Sequence, residues 1–268
     1  MPARLLILLT LVLTGPGYLI AQPISFFAVP NIYANAEGPG SSNSLIRNAG
    51  NPRTVQIILN QNQLTSMVNH SITGITYRLT NSLPNGYPIF QTTWSDYQIQ
   101  LGPSVAPGSA VAQFASNFTS PPVTVRTGPL TVAPFSWLVG SPPVPSPWGV
   151  EIQFNTPYVY TGGNLALMVT HPGSDNPDQG NSLLDAAGTS SPGNGVDYTA
   201  ITGNAYQALE GTQNLFTNVI RFTGVAAVPE PAAVSLVLLI LAAILVRRSF
   251  IRDAAGTTPP EPPPEPSA

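Results

Sequence analysis

Residues able to do acid, base or nucleophilic chemistry are few in this chain and widely spread. Its 268 residues hold 12 acids, 2 histidines and no cysteine. The missing thiols exclude cysteine nucleophiles, cysteine-based zinc sites and haem attachment. His70 and His171 stand about a hundred residues apart, and neither has the i, i+4 or H-x-E spacing that puts two ligands, or a ligand and a base, on one face. Both read as strand-end or loop residues. A hydrolase serine is often presented on a G-x-S-x-G elbow, and no such elbow occurs. Glycoside hydrolysis needs two carboxylates facing each other across a sugar cleft. Asp96, Glu151 and Glu210 are the candidates, and they are scattered. Glu151 alternates with Val150, Ile152 and Phe154, which puts its carboxylate on the solvated side of a strand.

Binding chemistry has two candidate sets. Asp175, Asp178, Asp185 and Asp197 collect in a stretch rich in Asn, Gly and Pro, the kind of loop that offers hard oxygen ligands to calcium. Their spacing matches no EF-hand or nonapeptide repeat, so Asp175, Asp178 and Asp185 are weak metal candidates beside the plainer reading of a solvated acidic loop. Trp94, Trp137 and Trp148 sit near turns and proline-rich loops. Exposed, Trp94 and Trp148 would stack on sugar rings; buried, they would plug the ends of the fold. No cofactor motif is found, and none is expected.

Charge narrows the partners. Lysine is absent, the formal net charge is −3, and Arg47, Arg53, Arg78, Arg126 and Arg221 are the basic residues of the central region. Binding a polyanion such as nucleic acid requires clustered cations, so nucleic acid is excluded as a partner.

The elements that must position these residues are strands. Short runs of high β propensity, separated by Gly, Pro, Asn and Ser, predict strands at 54–59, 72–80, 96–101, 122–126, 130–132, 150–154, 158–160, 165–171, 196–201 and 218–223. Tyr97, Ile99 and Leu101 should share one face with Gln98 and Gln100 on the other. Leu165 to Val169 is apolar throughout and should be a central strand covered on both faces. Residues 110–118 read as a short helix or an irregular excursion, and the proline-rich 141–147 as a loop. The fold class expected for residues 22–224 is all-β: an antiparallel two-sheet sandwich with jelly-roll-like connections.

Both ends of the chain differ from this middle. Arg4, the apolar run Leu5 to Leu13, the breakers Gly15, Pro16 and Gly17, and the small Ala21 have the layout of a signal peptide, residues 1–21. Near the other end, Ala232 to Val246 contains ten Leu, Ile or Val residues. At roughly 0.3 to 0.6 kcal/mol each, they favour insertion by about 3 to 6 kcal/mol, so 232–246 is expected to form a transmembrane helix. Its about 22 Å length falls short of the roughly 30 Å hydrocarbon core, so flanking residues must contribute. Arg247, Arg248 and Arg252 put the C-terminal side in the cytoplasm. Residues 249–268, closing with TPPEPPPEPSA, read as a disordered, extended proline-rich tail.

The segment VPEPAAVSLVLLILAAILVRR, with Pro229, Glu230 and Pro231 before the apolar run and Arg247 and Arg248 after it, resembles the PEP-CTERM sorting signal of exported bacterial proteins. That resemblance covers residues 225–248. It implies recognition by an exosortase-type membrane peptidase, a membrane-anchored precursor, and a mature form at the cell surface or in the extracellular matrix beside exopolysaccharide. VPNIYANAEG, GITYRL and FNTPYVYTGGNLALMV are similar to β-sandwich ectodomains of planctomycete type that carry the same tail and have no assigned activity. The expectation is a non-enzymatic surface or matrix protein. A carbohydrate-binding module and a plain single-pass anchored ectodomain are the alternatives.

Overall fold

The computed structural model describes residues 22–177 and 182–227. The signal segment 1–21, Asp178, the Pro229-Glu230-Pro231 motif, the apolar run 232–246, Arg247, Arg248 and the tail 249–268 lie outside the described residues.

The described residues are all-β, with antiparallel sheets and helical elements limited to 3-10 turns of three or four residues. β1 (Ile24–Val29), β15 (Ile220–Ala226), β4 (His70–Tyr77) and β9 (Ile152–Tyr160) form a four-stranded sheet in that order. A six-stranded sheet runs β13 (Thr212–Gln213), β12 (Tyr198–Gly203), β3 (Arg53–Leu59), β10 (Leu165–His171), β6 (Gln98–Pro103), β7 (Val123–Arg126). Two small sheets complete it: β14 (Phe216–Asn218), β11 (Leu184–Gly188) and β2 (Gly40–Ser42), and the pair β5 (Thr92–Trp94) and β8 (Leu130–Val132).

One core joins the two large sheets. Ile72, Ile75, Tyr77 and Phe222 of the smaller sheet and Val55, Ile57, Ile99 and Leu167 of the larger belong to the same buried cluster. Each such side chain contributes about 1.5 to 3 kcal/mol by leaving water. Tyr97, Ile99 and Leu101 are buried while Gln98 and Gln100 stay partly exposed on the opposite face, as the alternation predicts. The Tyr97 hydroxyl donates to the Leu45 carbonyl (2.8 Å) and lies 3.1 Å from the Tyr77 hydroxyl, so the polar tips of these buried rings are satisfied. β10 lies between β3 and β6, and a second cluster of Ile58, Phe114, Ala166 and Ile201 covers its other face.

Several elements differ from expectation. β9 is one strand rather than two, but its ladder to β4 breaks: Ile72 pairs with Tyr158 and Gly74 with Gln153. The surplus residues, including Pro157, bulge out where proline has no ladder bond to make. β1, β2, β5, β11, β13 and β14 were not among the expected strands. The segment 110–118 is an irregular excursion with a 3-10 turn at Phe114–Asn117, fastened by the buried Gln56 amide, which donates to the Phe114 carbonyl (3.1 Å) and accepts from Asn117 (2.8 Å).

The register gives the domain two poles. Gly162 and Gly163, at φ 114° and 86°, turn the chain in four residues from the end of β9 to the start of β10. At this pole Tyr160 pairs with His70, His70 with Ala226, and Leu165 with Leu59. At the other pole Arg53 pairs with His171, and Val29 with Ile220. The described chain therefore leaves the domain, at Ala226, from the pole opposite Arg53.

Candidate functional site

The outer face of the six-stranded sheet carries an open cleft of about 590 Å³ with a mostly apolar lining. Its floor follows from strand periodicity. Gln98 and Gln100 of β6, Met168 and Thr170 of β10, and Thr54 of β3 all point away from the main core. The excursion after β6 supplies one wall through Phe114 and Phe118, and residues 207–209 supply the other. Leu209, 88 % exposed, forms the lip.

Two threonines fix the second wall. Thr54 Oγ1 and Thr170 Oγ1 lie 2.9 Å apart. Thr54 Oγ1 accepts the Ala208 amide (2.9 Å) and donates to the Ala205 carbonyl (2.9 Å), while Thr170 Oγ1 accepts the Gln207 amide (2.7 Å). Gln207 takes φ 54°, a left-handed conformation uncommon outside glycine and asparagine, which these bonds hold in place.

Beside the cleft, Asp96 Oδ2 accepts the Tyr206 hydroxyl (2.6 Å) and the Gln98 amide (2.7 Å), and Oδ1 accepts the Gly128 amide (2.8 Å). Burial pulls the Asp96 carboxyl upward, but these donations outweigh it and hold it below its ordinary value. Burial, with the Asp96 carboxylate as acceptor, pushes the Tyr206 phenol up to about 12. Asp96 thus stays ionised and orients Gln98 and Tyr206. Such an arrangement presents amides and hydrocarbon to a ligand, a surface suited to neutral, hydroxyl-bearing molecules with apolar faces.

The other sequence candidates are dispersed. Glu151 lies on the four-stranded sheet, where Gly74 leaves room for its carboxylate and the Thr223 hydroxyl donates to it (3.0 Å). It shares no cleft with Asp96. Glu210 bridges to Gln113 behind the lip. Trp94 is buried: its indole donates to the Arg47 carbonyl (3.0 Å) and its ring meets Tyr97 edge-on at 6.0 Å, so no sugar reaches it and it plugs the pole. Trp137 is likewise buried, against Tyr87. Trp148 is half-buried, with the guanidinium groups of Arg78 and Arg221 over its ring at 4.9 and 5.0 Å, so cations already cover the surface a sugar would use.

The calcium reading fails on Asp185. This carboxylate is fully buried and pairs with Arg78 at 2.6 Å, while its other oxygen accepts the Gly38 amide (2.8 Å). Arg78 in turn donates to the carbonyls of Tyr33 (2.7 Å) and Ala36, so the pair pins the segment leading into β2. Burial pushes Asp185 up to about 6 against the pull of Arg78, leaving it ionised at neutral pH. Asp175 is tied to Thr93 through both its amide (2.9 Å) and its carboxylate (2.7 Å). Among the described residues no group of three or more His, Cys, Asp or Glu is placed to hold a metal.

Sequence reasoning missed the cleft: nothing in the apolar run 165–169 marks Met168 as its half-exposed position. Comparison with known proteins found no matching family model, no matching curated protein and no matching solved structure.

Proposed function

We propose that this is a non-enzymatic exported protein of the cell surface or extracellular matrix, whose β domain binds a neutral glycan strand in the cleft of the six-stranded sheet. The carrying observation is the cleft itself. Its apolar walls, with Met168 on the floor, match the C–H faces of sugar rings, and Gln98, Gln100 and Gln207 offer amides to their hydroxyls.

Connectivity agrees with a binding scaffold. Numbering β1, β3, β4, β6, β7, β9, β10 and β15 one to eight, the sheets read 1-8-3-6 and 2-7-4-5, with β12 and β13 added at one edge. This is a jelly roll, an architecture common among lectin and capsid domains, and the analogy supports binding without identifying a ligand. Export rests on the sequence: a signal peptide at 1–21 and the PEP-CTERM-like segment with Pro229, Glu230, Pro231, Arg247 and Arg248, read by an exosortase-type peptidase.

Titration of the exported protein with neutral exopolysaccharide fragments tests the binding reading. Saturable binding should weaken about tenfold or more in Phe118→Ala and Gln100→Ala, because one loses a stacking wall and the other a floor amide. Affinity unchanged in both variants refutes the cleft. Intact-mass measurement of the surface fraction tests the sorting. A mature chain ending near 228–232 is expected; recovery of chain still carrying 247–268 supports the plain membrane anchor instead.

A further inference from the structure

The five arginines of the domain do not have equivalent surroundings. Arg78 is neutralised by Asp185 at 2.6 Å. The field of Asp96 supports Arg126, and that of Glu151 supports Arg221. Arg47 and Arg53 have no such partner among the described residues. Instead they share a polar pocket of about 250 Å³ with Ser44, Thr202, Asn204 and Asn214, at the pole opposite Ala226.

These guanidinium groups are underused. The Arg47 Nη1 donates to Asn43 (2.7 Å), while its Nε, shielded from water, meets no acceptor. Arg53 Nη1 donates to the Pro52 carbonyl (2.7 Å). Burial lowers the pKa of both, and for Arg53 the neighbouring Arg47 lowers it further. Two half-buried like charges destabilise the fold unless something of opposite sign visits them.

The site is also rigid. The Arg47 carbonyl is held by the Trp94 indole (3.0 Å) and the Ser174 amide (3.2 Å), and Arg53 opens β3 opposite His171. His171 adds no charge: it is buried, its ring stacks on Tyr97 at 5.7 Å, and its Nδ1 accepts the Gly173 amide while Nε2 donates to the Ser44 carbonyl.

We infer that Arg47 and Arg53 form a binding site for a single oxyanion, a carboxylate or sulfate group, whose carrier meets the hydroxyls and amides of Ser44, Thr202, Asn204 and Asn214. Planar guanidinium forks match such groups bidentately. The pocket is smaller than the about 300 to 1,000 Å³ usual for drug-sized ligands, which fits one acidic group with its immediate neighbours. The site lies apart from the cleft and does not depend on the glycan reading of it.

The exported protein is titrated with oligogalacturonate, a sulfated oligosaccharide, the methyl-esterified neutral counterpart, sodium acetate and sodium sulfate. Binding of the charged probes that falls with added salt is expected, whereas any binding of the esterified counterpart in the cleft should be indifferent to salt and to Arg53→Gln. Arg53→Gln and Arg47→Gln should each weaken binding at least tenfold. Arg53→Lys, which keeps charge and loses the fork, should fall between. Arg126→Gln should bind the charged probes as wild type, which ties the effect to the Arg47 and Arg53 pocket and not to loss of any one cation. Stronger binding of the oligosaccharides than of the free anions identifies a saccharide carrier; equal binding supports the site with a small anion as its ligand. Unaltered melting of the arginine variants guards against misfolding. Failure of every charged probe to bind, or equal binding by wild type and a folded Arg53→Gln, overturns the inference.

Discussion

His171 should make the domain acid-sensitive in a calculable way. Its ring is fully buried, and burial, with the fields of Arg53 and Arg47, pushes its pKa from 6.5 to about 4 despite the bond to the Ser44 carbonyl. In the unfolded chain it protonates near 6.5, so the unfolded state binds the proton first as pH falls. Its contribution is intact above about 6.5, is lost progressively between about 6.5 and 4, and is constant below. At about 1.4 kcal/mol per pH unit the loss sums to about 3.4 kcal/mol, or about 7 to 14 °C in Tm for a domain of this size. Asp185 acts with opposite sign. Its folded pKa, up to about 6 from 3.8, means the folded state protonates first, and stability rises by about 3 kcal/mol as pH falls through that window. In the wild type these two contributions oppose each other between about pH 6 and 4, so only a comparison exposes each part. Urea denaturation of wild type and His171→Asn from pH 7.5 to 4 is the assay. The variant should be weaker at neutral pH but should gain on wild type by about 3 kcal/mol on acidification. Parallel profiles, or an NMR titration of His171 above pH 6, would refute the reasoning.

Three further outcomes are expected. Ile99→Asp should cost several kcal/mol in chemical denaturation and Gln100→Asp less than about 0.5, since only the first buries an unpaired charge; equal costs would contradict the assigned faces of β6. At pH 8, Arg78→Met should cost about 3 to 5 kcal/mol by stranding the buried Asp185 carboxylate, and a loss below about 1 kcal/mol would show that the pair is not buried as described. Millimolar calcium should leave Tm unchanged because Asp185 is committed to Arg78 and Gly38; a rise that disappears in Asp175→Asn would restore the calcium site.

What the sequence could disclose depended on how local the cause was. β10 and β6 were legible because burial on two faces writes a continuous apolar run, and burial on one writes an alternation. β1 was not, because its solvent face carries Ile24 and Phe26, 63 % and 55 % exposed, which blurs the period-two pattern. β2 (GSS) and β11 (LDAAG) contain few strand formers and are held by pairing with each other and by Asp185. The two-strand reading of 150–160 detected the two paired segments of β9 but not the bulge that joins them. The cleft escaped altogether. Its floor and walls come from 54, 98–100, 114–122, 168–170 and 207–209, which only the topology brings together. Asp185 escaped for a similar reason: flanking residues suggested a solvated loop, while Arg78, 107 positions away, buries it; Trp94 is the end plug that the sequence allowed, its indole held by Arg47, 47 positions away.

The placement of β15 bears on how the domain withstands pulling. This strand leaves at Ala226 and is hydrogen-bonded along its length to β1 on one side and β4 on the other. Suppose the chain is tethered beyond Ala226 while a ligand grips the Arg47 and Arg53 pole. Tension then runs along the strand axes. Antiparallel ladder bonds lie perpendicular to that axis, so both ladders are sheared as a whole instead of being peeled one rung at a time. A domain loaded in this direction should resist far higher force than one pulled sideways from an edge strand.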